Sequence, residues 1–169
     1  MDEKVALMET YLKDVENIDP ISDEEKEELI TRLIDGDDEV VEDLMHSTLC
    51  HIAERAEEYK DQNVHFLDLI QSANLAVNES LYDFDGDPST FDEYVDDVIT
   101  EALENAVEEQ RKADKISQKL VDQLNRLDET VTALTEKLGR PPEIDEIAEA
   151  MEVSQDEVSM LLKTSLDAL

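Results

Sequence analysis

Between Asp61 and Gln110 the chain contains no Lys or Arg, yet apolar residues return there at helical intervals. Phe91, Tyr94, Val95, Val98, Ile99, Ala102, Leu103 and Ala106 fall at steps of three and four. Such steps align side chains along one face of an α-helix, because the helix turns once every 3.6 residues. The outer face of this stretch is Asp92, Glu93, Asp96, Asp97, Thr100, Glu101, Glu104, Asn105 and Glu108. This stretch therefore specifies a helix with one face for a core and an outer face that is negative or neutral throughout.

The same periodicity extends along most of the 169 residues, a length that suits one domain or one domain with an appendage. Gly and Pro are scarce, and Val, Ile and Thr never gather into alternating runs. Helix-forming residues dominate, and hydrophobic residues make up 40 % of the chain, so the fold class expected is all-α with a buried core. Fourteen basic residues against 47 acidic ones leave a formal net charge of −33. Proteins gain affinity for nucleic acid by replacing counterions with Lys and Arg, and this chain would instead be repelled. Solubility and adaptation to salt are the other readings of such a charge; regular apolar spacing argues against disorder.

Cys50 is the single cysteine, which excludes an internal disulfide and fits a reducing compartment. The N-terminal Met1-Asp2-Glu3-Lys4 has no signal-peptide pattern, and no apolar run approaches membrane-spanning length. The expected location is the cytoplasm.

The chain reads as a succession of helices. A first spans about residues 2–17 and ends before Pro20. Ser22 and Glu25 form a capping-box pair for a second, whose inward stripe is Leu29, Ile30, Leu33 and Ile34 and whose stop is Gly36. A third runs from about Asp38 to Lys60, with Val41, Leu44, Met45, Leu49, Ile52, Ala56 and Tyr59 inward. A fourth runs from about Phe66 to Tyr82, with Asp68 placed favourably in its first turn. After the turn-rich Asp83–Ser89, Ser89 and Asp92 suggest the start of the helix described above. Arg111–Lys115 concentrates positive charge and reads as part of a linker over residues 111–118. Beyond it, Leu120, Leu124, Leu127, Val131, Leu134 and Leu138 form a seam at steps of four and three. Two short helices around Ile144–Met151 and Val158–Leu162, joined at Glu152-Val153-Ser154, have a helix-turn-helix cadence.

Chemistry-bearing constellations are few. Asp83, Asp85, Asp87 and Ser89 alternate as in a calcium loop, but Pro88 and Tyr94 stand where an EF-hand needs Gly and Glu. His46 and Cys50 share a helix face without a third ligand at useful spacing, so a structural role is expected and no metal. No nucleophilic triad or phosphate loop is present. Neither enzymatic activity nor a cofactor is expected.

Several segments resemble bacterial RNA polymerase sigma factors of the housekeeping type. Phe66-Leu67-Asp68-Leu69-Ile70-Gln71 with Asn74 is similar to the family's core-binding helix. Val121-Asp122-Gln123-Leu124-Asn125-Arg126-Leu127 resembles the opening helix of its third domain. Leu138-Gly139-Arg140-Pro141-Pro142, with Glu146-Ile147-Ala148-Glu149, is similar to the segment that follows. The likeness runs from Tyr11 to Lys163. It implies a second-domain-like helical bundle over residues 1–110 and a third-domain-like set of helices over 119–169. It implies docking on the clamp helices of the polymerase's largest subunit through Leu67, Asp68, Gln71, Asn74 and Asn78. Two positions depart from that helix's pattern: Ser72 replaces an acidic residue and Asn78 a Met.

The family captures a flipped promoter base with aromatic residues and guides DNA with Arg and Lys. Phe91 and Tyr94 match part of that aromatic set, whereas Asp97 and Val98 stand at the paired tryptophans. Glu101, Glu104 and Asn105 stand where promoter-reading Gln, Thr and Arg are usual. Lys119 replaces a DNA-reading His, Glu152 a tight-turn Gly, and the likeness stops before a fourth domain. Single-strand binding needs aromatic platforms in a positive groove, and this surface has no positive charge. The expectation is a polymerase-binding regulator with promoter contacts largely lost. Two other readings stay open: one part of a split sigma factor whose partner supplies the fourth domain, and a helical protein that binds no polymerase and dimerises through the leucine seam.

Overall fold

A computed structural model describes residues 9–13, 15, 17 and 20–167, the side chains of 166 and 167 excepted. Among them every regular element is helical. The chain divides into two compact units, Met1–Arg111 and Lys112–Leu169.

In the first unit, residues 9–13 and 15 are helical, and the remainder of the expected first helix lies outside the described residues. Helix α1 is Asp23–Ile34, with the Ser22 hydroxyl accepting from the Glu25 amide at 3.1 Å. That cap satisfies one of the amides every helix start leaves without a partner. The helix stops at Gly36, whose φ of +88° is open to glycine at little cost. The Gly36 and Asp37 amides close back on Leu33 and Arg32. Leu29, Ile30 and Leu33 are buried, but Ile34, expected with them, is exposed. It sits next to the cap, where the chain turns away from the core.

Asp37 caps a 3-10 turn, Asp38–Val40, which leads into α2, Val41–Glu57. The Arg32 guanidinium beside Asp37 holds that carboxyl below the usual aspartate range. Helix α3 is Phe66–Leu81. Asp87, rather than the expected Ser89 and Asp92, organises the next start: it caps a 3-10 turn, Pro88–Thr90, by accepting from the Ser89 amide. Helix α4 then runs over Phe91–Leu138. Phe91, Val95, Ile99, Leu103 and Val107 enter the first unit's core at intervals of four, meeting Leu44, Ile52, Leu69, Val77 and Leu81. Truncating a fully buried member such as Leu44 or Ile99 to Ala costs about 2–5 kcal/mol, the transfer cost plus that of the cavity.

Residues 111–118, expected as a linker, are helical. Nothing between Phe91 and Leu138 breaks a helix: the segment has neither Gly nor Pro, and Lys, Ala, Gln and Leu are strong helix formers. Positive charge marked this place in the sequence, but charge does not interrupt backbone hydrogen bonding.

The second unit packs α5, Ile144–Met151, and α6, Gln155–Asp167, on the later part of α4. Its core is Leu127, Ile147, Ala148, Met151, Val158 and Leu161, with Leu124, Val131 and Leu134 packed against it. The middle of the leucine seam is thus used within the unit, while Leu120 and Leu138 at its ends are exposed, as is Ile144. Ser154 caps α6 at the Glu157 amide. Glu152 makes the turn at φ +56°, in the left-handed region where a side chain costs energy.

Candidate docking groove and acidic helix face

Helices α2 and α3 pack together and leave an open groove of about 870 Å3 between them. Leu67, Gln71, Asn74 and Asn78 line its α3 side, because steps of three and four keep them on one face. Leu67, Asn74 and Asn78 are half-buried and Gln71 is exposed. Asp68 is exposed but does not line the groove. One residue beyond Leu67, it is rotated about 100° around the helix.

The opposite wall was not legible as a site. Met45 and Leu49, expected in the core, are half-buried groove wall beside His46 and Glu42. Leu75 on α3 and Tyr82 at its C-cap add apolar surface, each more than half exposed. The one available signal was that Leu75 lies off the buried stripe of its helix. His46 joins this wall, while Cys50 lies near Glu54, its Sγ 3.9 Å from the carboxylate. At Asn74 there is a polar irregularity: its Oδ1 is buried without a hydrogen-bond partner, and so is the hydroxyl of Tyr11, which does not line the groove. Burial pushes the Tyr11 phenol up, and the neighbouring Asn74 amide draws it partly back. The two groups lie close without forming a well-directed hydrogen bond.

The second surface is the outer face of α4. Asp97, Glu101, Glu104 and Asn105 are exposed there, and Val98 is half-buried. Phe91, expected on this face, is a core residue only 1 % exposed. The reason is the ring of Phe84, which meets it edge-on at 5.3 Å and closes it from solvent. Tyr94 is half-buried against Phe84 at 5.1 Å, its hydroxyl donating to the Ser80 carbonyl.

Between residues 20 and 111 the scarce cations are all engaged elsewhere. Lys26 pairs with Asp92, Arg32 with Asp37, and Lys60 with Glu57. Arg55 contacts Glu58, Asp96 and Thr100, and Arg111 donates to Gln62. These five are every Lys and Arg from residue 20 to residue 111. His51 adds a 2.8 Å contact to Asp96. The side of α4 turned to α1 and α2 is therefore charge-compensated, and the outer face is not.

These surfaces define an all-α protein whose prominent features are a groove between two helices and an uncompensated acidic helix face. Comparison with known proteins shows what the chain is similar to. Residues 122–169 match the family described as sigma-70 region 3. The chain is 30 % identical over 154 residues, 90 % of its length, to the RNA polymerase sigma factor SigA of a Bacillus species. The same identity over the same share relates it to RNA polymerase sigma factor SigA of Clostridium acetobutylicum. The chain is thus similar to sigma-70 proteins along most of its own length, and it spans 41 % of the length of each of these relatives. No helix among the described residues is long and apolar enough to cross a membrane.

Proposed function

We propose that this protein is a sigma-like transcription regulator that docks on core RNA polymerase through the α2–α3 groove and keeps promoter DNA away from α4. The observation that carries the reading is the contrast between the two surfaces. The groove offers apolar contact through Leu67, Met45 and Leu75 beside the hydrogen-bonding groups of Gln71, Asn74 and Asn78. That mixture suits a partner helix laid between two helices. The outer face of α4 presents Asp97, Glu101 and Glu104 where a promoter-reading member would need cations. Each carboxylate adds repulsion within a Debye length of about 8 Å of a phosphate. The partner is the clamp-helix region of the polymerase's largest subunit, and the second unit is the counterpart of sigma region 3.

The test is capture of core polymerase and of an isolated clamp-helix fragment by the purified protein. Asp68→Lys with Gln71→Ala reduces capture, and added protein lowers transcription by core with a housekeeping sigma factor. Capture unchanged by the double substitution would overturn the docking surface. Sequence-specific promoter opening by this protein with core would overturn the loss of DNA contact.

A further inference from the structure

Along α4 the exposed charges change sign. Glu101, Glu104 and Glu108, in the first unit, fall at steps of three and four, and so do Lys112, Lys115 and Lys119 in the second. Steps of this kind keep side chains on one side of a helix, and α4 runs unbroken from Phe91 to Leu138. All six residues are exposed. Glu101, Glu104, Lys115 and Lys119 take part in no ion pair or side-chain hydrogen bond among the described residues. Nor can they meet along their own helix. Glu104 and Lys115 are 11 residues apart, about 16 Å along the axis, and Glu101 and Lys119 are further still. Only the inner Glu108 and Lys112 stand one turn apart. The first unit's other cations from residue 20 to residue 111 are engaged elsewhere. Ile116 stands between Lys112 and Lys119 on the same side, 71 % exposed.

We propose that α4 pairs antiparallel with α4 of a second copy of this chain, the carboxylate stretch of each lying on the lysine stretch of the other. A two-fold axis near Gln110 brings both stretches together at once. Glu101 and Lys119 lie nine residues either side of Gln110, and Glu104 and Lys115 lie six and five. Glu101 of one copy therefore stands opposite Lys119 of the other, and Glu104 opposite Lys115 to within about one residue's rise of 1.5 Å. The axis repeats each pair, as a self-complementary interface requires. The matched spacing selects the occupant. A basic protein would satisfy the carboxylates alone, and an acidic protein or a nucleic acid the lysines alone; either would set like charges against the other half of the helix. A second copy satisfies both. Exposed ion pairs contribute little by themselves, so their part is to fix register and direction, while closure over Ile116 supplies apolar contact. Each copy carries a net charge of −33, but salt screens repulsion beyond about 8 Å, and paired charges in contact are screened much less. This pairing goes beyond polymerase docking and does not rest on it.

The experiment follows the mass of the full chain by light scattering as its concentration is raised at physiological salt. The mass is expected to climb from the 19.2 kDa of one chain toward twice that value. Glu101→Lys with Glu104→Lys sets cations against cations, and Lys115→Glu with Lys119→Glu sets carboxylates against carboxylates. Each double substitution weakens self-association about tenfold or more. Mixing the two variants restores every pair, so the mixture is expected to associate within about twofold of the unaltered protein. Glu24→Lys with Glu28→Lys, on the exposed side of α1, changes the net charge as the first variant does and should not weaken association. A mass that stays at one chain at every concentration would overturn the proposal. So would a mixture of the two variants, both folded by circular dichroism, that fails to associate. A dimer that both reversals leave intact would place the contact elsewhere, as at the exposed Leu120 and Leu138 of the leucine seam, and would overturn it too. If one variant does not fold, the other decides alone by whether it weakens association. Because no polymerase is present, a negative result here leaves the clamp-helix capture assay to judge the docking groove separately.

Discussion

Tyr94, near the start of α4, donates its hydroxyl to the carbonyl of Ser80, near the end of α3, at 2.9 Å. The bond ties together two helices that the turn-rich segment Asp83–Thr90 separates in sequence. The same carbonyl also accepts from the Asp83 amide at 3.1 Å. Removing the hydroxyl therefore loses one bond but leaves no buried acceptor without a partner.

Tyr94→Phe should for that reason cost only about 0.5–1.5 kcal/mol, the net worth of one hydrogen bond. Urea unfolding followed by circular dichroism reads this directly. A loss above about 3 kcal/mol would mean that the bond organises the whole loop rather than pinning one ring.

Adjacent aspartates on α4 should respond in opposite ways. Asp96 contacts Arg55 and His51, whereas Asp97 faces outward among other carboxylates. Asp96→Asn is expected to destabilise by about 1 kcal/mol, since the pair is partly exposed and screened. Asp97→Asn is expected to be neutral or stabilising by up to about 0.5 kcal/mol. Added sodium chloride should raise the melting temperature, because screening of the unit's self-repulsion outweighs the loss from a few surface pairs.

Glu152→Gly relieves a side chain held at φ +56°. Its amide closes the end of α5 on Ala148 and Glu149, and Gly keeps that bond. The gain from removing the clash exceeds the extra freedom glycine brings to the unfolded chain, so a net stabilisation of about 0.5–1 kcal/mol is expected. Thermal melts of the two proteins test it.

The Arg140 guanidinium hydrogen-bonds Glu146 at 2.8 and 2.9 Å and holds that carboxyl below the usual glutamate range. The Glu143 amide adds to the same shift. A carboxyl lowered on folding stabilises above its unfolded value, about pH 4.3, and loses that contribution as the pH falls through its folded value. Glu146→Gln removes this dependence. Melts from pH 6 down to about pH 2.5 should show the two proteins converging in stability at the acid end. A gap that stays constant with pH would remove Glu146 as its source.

How much of this could be read beforehand depends on how local the cause is. The stripe from Phe91 to Ala106, the Ser22 cap and the Gly36 stop are set by neighbours within one or two turns, and each was legible. The family likeness was carried by short ordered segments and was legible for the same reason. The continuity of α4 through residues 111–118 was missed because a cluster of charge was read as punctuation. Burial was overestimated for Ile34 at the end of α1 and for Leu120 and Leu138 at the two ends of the leucine seam, since periodicity tells the facing side but not how far the neighbouring helix extends. The groove depends on the separation of α2 and α3, which no spacing along the chain encodes. Periodicity placed Phe91 on the core face, where it lies, whereas the family likeness had set it on the DNA-facing surface. The partners of the cations, such as Arg55 with Asp96 some forty residues later, are likewise facts of packing.

The internal engagement of every Lys and Arg from residue 20 to residue 111 has a thermodynamic consequence. With its own cations committed, the outer face holds its neutrality only through small cations gathered from solution. A basic partner that covers the face sets those ions free, and their gain in entropy drives association, as it does when proteins bind nucleic acid. Here the protein carries the condensed ions, and its affinity for such a partner should fall along a straight line in the logarithm of salt concentration.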